Sequence, residues 1–448
     1  MSHGHSHSHD MPAGAVKSTL RVRIVTFALL AVVAAATAIG LVTLWPDYQA
    51  VEEVGTGTQY AAEGATFETG EVLSVTDECP VQQGGQSQGS ADPQSNDSQA
   101  AQAEACLEIS VGLHSGPEKG RLVNVVVRGA LASSGISVGD HVELSRFPGV
   151  STDAGSPEGA ESGANSSTDT GASEASYELA ETYALSGIFR HIPLLILTLV
   201  FVAVVIFVGR LRGFLALVAL GISAGVLFAF VLPGLVAGEP GLLVGMVGAS
   251  TIMFVILYLV HGLNMRTTAA LIGTLCGILI MAGISLISVH VTRLSGISDE
   301  SSSFLQAASG SLDFRGLLTC SIIIAGLGVL NDVTITQASS VWELRAAAPT
   351  MPSDEVYRRA MRIGRDHIAS TVYTVFFAYV GAALGVLIML YLYGQPFLSL
   401  LTREDIAIEI VRTLCGSIGL ILAVPITTWV AALFARPALP ETAPTVQP

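Results

Sequence analysis

Eight stretches of this chain are long and apolar enough to cross a bilayer, at residues 24–45, 188–209, 213–236, 241–260, 267–290, 316–340, 368–393 and 409–434. A crossing needs roughly 20 predominantly apolar residues. In hydrocarbon an open chain can satisfy its own backbone only as a helix. The pattern therefore calls for a polytopic α-helical membrane protein with about eight transmembrane helices. Composition agrees, with 51% apolar and 13% charged residues, against roughly 25% charged in soluble domains. The first stretch follows Lys17, Arg21 and Arg23, as a signal peptide would. Its apolar core exceeds the usual ~7–15 residues, however, and no A-x-A site follows Trp45 and Pro46, so it reads as a retained span.

Charge orients the spans. With the N-terminus inside, alternation leaves 12 Lys and Arg on the inner side (Lys17, Arg21, Arg23, Arg210, Arg212, Arg266, Arg345, Arg358, Arg359, Arg362, Arg365, Arg436). The short outer loops receive 5 (Arg190, Arg293, Arg315, Arg403, Arg412). That bias fits the positive-inside rule. It implies a cell membrane location, a cytoplasmic His-rich tail (1–23), a first helix (24–45), an extracytoplasmic segment (46–187), a seven-helix domain (188–434) and a cytoplasmic tail (435–448).

The 46–187 segment holds 22 of the 36 Asp and Glu but only four Lys and Arg, which argues against a nucleic-acid partner. Within it, 82–105 and 151–175 are Gln-, Ser-, Gly- and acid-rich inserts with almost nothing to bury. The remainder alternates like strands at 66–76, 107–113, 121–128, 140–146 and 177–185. Five short strands suggest a small all-β, OB-like domain between helices 1 and 2, with a sandwich as the other option. Cys79 and Cys106 flank the first insert, and a disulfide between them would close its base; unpaired thiols are the alternative. Cys276, Cys320 and Cys415 lie in spans, as small packing residues.

One polar cluster stands out inside a span. The run GLGVLNDVTITQASSVWEL places Asn331, Asp332, Thr334, Thr336 and Gln337 well within apolar sequence. A carboxylate at such depth costs roughly 2.5 kcal/mol or more and normally faces a bundle interior or wet cavity. Oxygen-rich surroundings suit a proton or hard cation. The competing reading is an interhelical hydrogen-bonding staple. His261, at the inner end of its span, and Glu343, about three turns beyond Asp332, are the relay candidates. His191, His290 and His367, at span ends, read as interfacial residues.

Other features are weaker. Gly221/Gly225, Gly241/Gly245, Gly273/Gly277 and Gly381/Gly385 have the spacing of close helix contacts. Ser353 to Arg365 reads as an amphipathic helix on the inner surface, with Val356, Ala360 and Ile363 on one face and arginines on the other. His3, His5, His7 and His9 can ligate a transition metal, loosely in the absence of a fold. No G-x-x-x-x-G-K-[ST], H-E-x-x-H or G-x-S-x-G motif is present, so neither an enzyme nor a cofactor is expected.

The same run, followed by RRAMRIGRDHIASTVYTVFFAYVGAALG, resembles the YibE/F-like family of bacterial multi-span membrane proteins in its actinobacterial form. SGPEKGRLVNV, GDHVEL and YALSGIFRHIPL agree, and the resemblance covers roughly residues 60–435. It implies a multi-span membrane protein and carries no established substrate. Two expectations result. The first is a secondary transporter or permease for an ion or small solute, with Asp332 as coupling or binding carboxylate. The second is a non-transporting envelope scaffold or sensor whose outer domain binds a partner. Its surroundings would be the lipid bilayer and an envelope protein or a second copy of itself.

Overall fold

The structure is a computed structural model that describes residues 20–57, 65–76, 106–147, 182–298, 300–308, 312–392, 394 and 396–435. The His-rich start, both low-complexity inserts, Cys79 and Arg436 fall outside these residues. So does the Cys79 end of the expected bridge; Cys106 opens a strand. The chain divides into two compact units, Gln59–Phe201 and the remainder.

The smaller unit is a five-stranded antiparallel sheet: β1 Thr66–Thr76, β2 Cys106–Leu113, β3 Leu122–Arg128, β4 His141–Phe147 and β5 Thr182–Ile188. Its order is β3-β2-β1-β4-β5, and the curled sheet brings the edge strands β3 and β5 together. Alternation sets the core: Val72, Ile109, Val111, Leu113, Val125, Val127, Val142 and Leu144 point inward. The first four strands lie within a residue of their expected positions. The described part of the fifth runs past its expected end at 185, because its register continues to Ile188 opposite Val142; residues 177–181 lie outside the described residues.

The larger unit is helical. Its elements are α1 Leu20–Thr43, α2 Tyr48–Gly57, α3 His191–Val226, a π-turn Leu227–Val231, α4 Leu232–Val236, α5 Gly241–His261, α6 Met265–Val291, α7 Glu300–Ala308, α8 Phe314–Ala347, α9 Ser353–Ala382, α10 Leu384–Leu392, α11 Phe397–Leu401 and α12 Glu404–Phe434. The first residues of α3 belong to the smaller unit. Among the described residues six helical segments have the length and apolarity of membrane spans, or seven counting α9 and α10, which meet at 64°.

The α3 stretch is not straight. Arg210 has φ 52° and ψ −133°, outside any helix. Gly213 comes so close to Val205 that an added Cβ would lie 2.2 Å from the Val205 carbonyl oxygen. Residues eight apart along a helix would be about 12 Å apart, so the chain turns back on itself there.

Helices α6, α8 and α12 form the centre, with α5 and α9 packed on them. Two expected glycine pairs sit at these contacts. A Cβ on Gly273 would meet Thr427 at 1.9 Å, one on Gly277 Leu330 at 2.6 Å, one on Gly241 the Gly316 backbone at 2.3 Å, and one on Gly245 Cys320 at 3.1 Å. Gly221, Gly225, Gly381 and Gly385 have nothing within 4 Å.

Two expectations need correction. The amphipathic segment and the span after it form one helix, α9, because nothing between Ser353 and Ala382 breaks it. Its buried face is Val356, Ala360 and Gly364; Ile363 is exposed. Gly364 lets the helix pass close to Val424 and Gln337. Arg412, expected in an outer loop, lies two turns inside α12.

Candidate polar site along helix 8

Helix α8 has 34 residues, about 51 Å at 1.5 Å per residue. Asp332 falls just past its midpoint. Its buried face is apolar with four embedded polar side chains, Thr319, Thr334, Gln337 and Arg345. The hydroxyls of Thr334 and Thr274 meet at 2.7 Å, so one donates to the other. The second hydroxyl is left to donate to the carbonyl one turn back on its own helix, Leu330 (2.8 Å) for Thr334 or Ala270 (2.9 Å) for Thr274. Gln337 Nε2 donates to the Ala360 carbonyl across to α9 at 2.9 Å. These are interhelical staples, made by Thr334 and Gln337 and not by the Asn331–Asp332 pair for which the sequence offered that reading. They satisfy polar groups that would otherwise be costly to bury.

Asp332 is not among them. It is exposed on the outward side of α8, and Asn331 lies at the boundary with Oδ1 buried and without a donor among the described residues. Thr336 is half-buried on the outward side. The five expected site residues therefore do not converge: Thr334 and Gln337 knit the bundle, while Asp332 and Thr336 share the opposite face. His261 is half-buried at the end of α5, where its carbonyl accepts from Asn264 Nδ2 at 2.9 Å. No contact joins it to Asp332 or Glu343 among the described residues. Nor do the described residues contain a cluster of three His, Cys, Asp or Glu able to hold a metal.

The outward face of α8 has an unusual composition. Ala325, Gly328, Asp332 and Glu343 are exposed, and Ser321, Thr336 and Ser339 are half-buried. Spacings of three and four place all seven on one side of a helix. Ser321 and Ser339 donate to their own helix, at Leu318 (2.8 Å) and Ile335 (2.7 Å). Helix α12 presents Leu414, Ile418, Leu422 and Trp429 at the equivalent exposed positions. That is the usual lipid-facing composition, and α8 lacks it.

Two charged features were not anticipated. Arg345 closes α8 and is fully buried. It donates to the carbonyls of Ala435 (2.5 Å) and Met351 and to Ser353 Oγ (3.1 Å), tying the end of α12 to the α8–α9 link. In α12, Glu409 and Arg412 pair at 2.6 Å between two cavities. An acid and base at i and i+3 within an isoleucine-rich run, DIAIEIVR, was the available signal.

Residues 197–437, more than half the chain, match the family model described as YibE/F-like protein. The chain belongs to the YibE/F-like family. The match takes in all of α5 to α12 and so contains the polar face of α8 and the Glu409–Arg412 pair. No curated protein and no solved structure matches the chain.

Proposed function

We propose that this YibE/F-like protein is a permease for an ion or small solute, and that the outward face of α8 lines its path. The polarity of that face carries the reading. From Ser321 to Glu343 it runs about 33 Å by helical rise, close to the ~30 Å hydrocarbon thickness. Acyl chains cannot solvate an ionised carboxylate at mid-depth. Water, a second copy of the chain or another protein must therefore meet this face, and a continuous small, polar surface suits water and a passing solute. Asp332 is the coupling or binding carboxylate, with Thr336 beside it and Glu343 as relay at the far end.

The proposal includes eight crossings, with Arg210 at the tip of a helical hairpin. A single 46-residue helix from His191 to Val236 would be about 69 Å long, more than twice the hydrocarbon core. It also includes cytoplasmic termini, an extracytoplasmic 46–187 segment and an OB-like reading of the curled sheet, which strand order and the approach of β3 to β5 support.

The test is flux in proteoliposomes across a panel of ions and small metabolites. Asp332→Asn is expected to insert and elute normally from size exclusion while losing at least tenfold in rate. Unchanged flux in that variant, or no flux for any solute in the wild type, contradicts the permease reading. The second reading, an envelope scaffold, is favoured by exposed Leu122 and Val126 on β3 and predicts partner binding independent of Asp332.

A further inference from the structure

Two cavities flank one turn of α12. The first, about 230 Å³, is bounded by Phe376 and Tyr379 of α9, Leu387 of α10 and Ile406, Glu409 and Ile410 of α12. The second, about 270 Å³, has Ser298, Ser302, Ser321, Ile408 and Arg412 in its wall. Glu409 faces the first and Arg412 the second. The pair between them joins Arg412 Nη1 to Glu409 Oε1 at 2.6 Å.

The pair leaves one donor unanswered. Arg412 Nε is buried and has no acceptor among the described residues. A buried N–H without a partner is costly, and more so on a charged group. The second cavity adjoins this guanidinium and contains serine hydroxyls. A planar guanidinium matches carboxylate and other oxyanions, accepting them with two parallel donors. Ser321 also begins the polar face of α8, so the cavity lies at the head of that face.

We propose that this cavity binds a small oxyanion, a carboxylate or an inorganic oxyanion, on Arg412, and that binding is linked to a proton on Glu409. The paired side chains are together neutral, so an added monoanion would leave one net negative charge beside the Glu409 carboxylate. Protonation of the Glu409 carboxylate, with the proton drawn from water, restores neutrality and frees Arg412 for the ligand. The groups facing Glu409 make this the least costly route. Arg412 is its only cation within a turn, Tyr379 approaches from α9, and α10 contributes Leu387. Asp405, one turn earlier, is held by Arg403 at 3.3 Å. The site is separate from Asp332 and does not depend on the permease reading.

The test is thermal stabilisation of the full-length protein in detergent by sodium acetate and sodium sulfate, each against sodium chloride at equal ionic strength. At least one oxyanion is expected to give saturable stabilisation beyond chloride. Its affinity should be higher at pH 6 than at pH 8. Arg412→Lys should weaken it tenfold or more, and Glu409→Gln should retain it with the pH dependence removed. Ser302→Leu, which fills the cavity and leaves the pair intact, should abolish it and serves if Arg412→Lys does not fold. Stabilisation by neither oxyanion, equal affinity in Arg412→Lys or Ser302→Leu, or an unchanged pH profile in Glu409→Gln overturns the proposal. Intact binding with no flux counts against the permease reading alone.

Discussion

Among the described residues Arg345 is the largest side chain that the bundle buries completely, and no carboxylate among them answers its charge. Its acceptors are two carbonyls and a hydroxyl, one of them the Ala435 carbonyl just past α12. The partial negative charge of a helix C-terminus favours a cation there. Arg345→Ala leaves these acceptors unpaired and should cost roughly 3 kcal/mol or more. Arg345→Lys should lower the thermal midpoint in detergent almost as far, because an ammonium cannot span the three acceptors; an unchanged midpoint would remove Arg345 from this role. The sequence hid this residue, since an arginine at the end of a span reads as reaching for headgroups. Asp332 was conspicuous, but its direction was not. Apolar residues surround α8 on most sides, so periodicity did not reveal which face was outward.

At the level of elements, glycine spacing located close contacts only where a neighbouring helix was present. Gly273 and Gly381 have the same i, i+4 spacing, but only Gly273 abuts another helix. Gly273→Leu should therefore abolish the folded, monodisperse protein, whereas Gly381→Leu should elute as wild type. Helix ends were harder to read than spans. The α9 helix continues through the expected surface segment because its Arg358–Asp354 (3.0 Å) and Arg359–Glu355 (2.5 Å) pairs support the first turns. Span length gives no sign of that continuation. In the sheet, alternation made the strands legible, but side-chain partners came only from the structure. Burial pushes the Tyr183 phenol up to about 12, helped by its hydrogen bond to Glu118 Oε2 at 3.0 Å and by the Glu68 charge. A raised folded-state value favours the native state below the unfolded value near 10, and the benefit is lost as pH rises through about 12. Tyr183→Phe should therefore flatten the loss of stability of the β unit between pH 10 and 12, followed by circular dichroism.

For the whole molecule, several apolar helices and a separate small β unit follow from the water–lipid partition of side chains. Membership of the YibE/F-like family, matched over residues 197–437, agrees with a membrane protein. What the α8 face meets depends on contacts that local sequence does not encode. A face that lines a solute path is one that water reaches across the hydrocarbon depth. Cysteine accessibility is the test, in a background with Cys79, Cys106, Cys276, Cys320 and Cys415 replaced by alanine. Gly328→Cys, Asp332→Cys and Ser339→Cys should react with a charged, membrane-impermeant thiol reagent at least tenfold faster than Ile418→Cys and Leu422→Cys on α12. Equal, slow reaction at both sets of positions would mean that the α8 face is dry and would contradict the account.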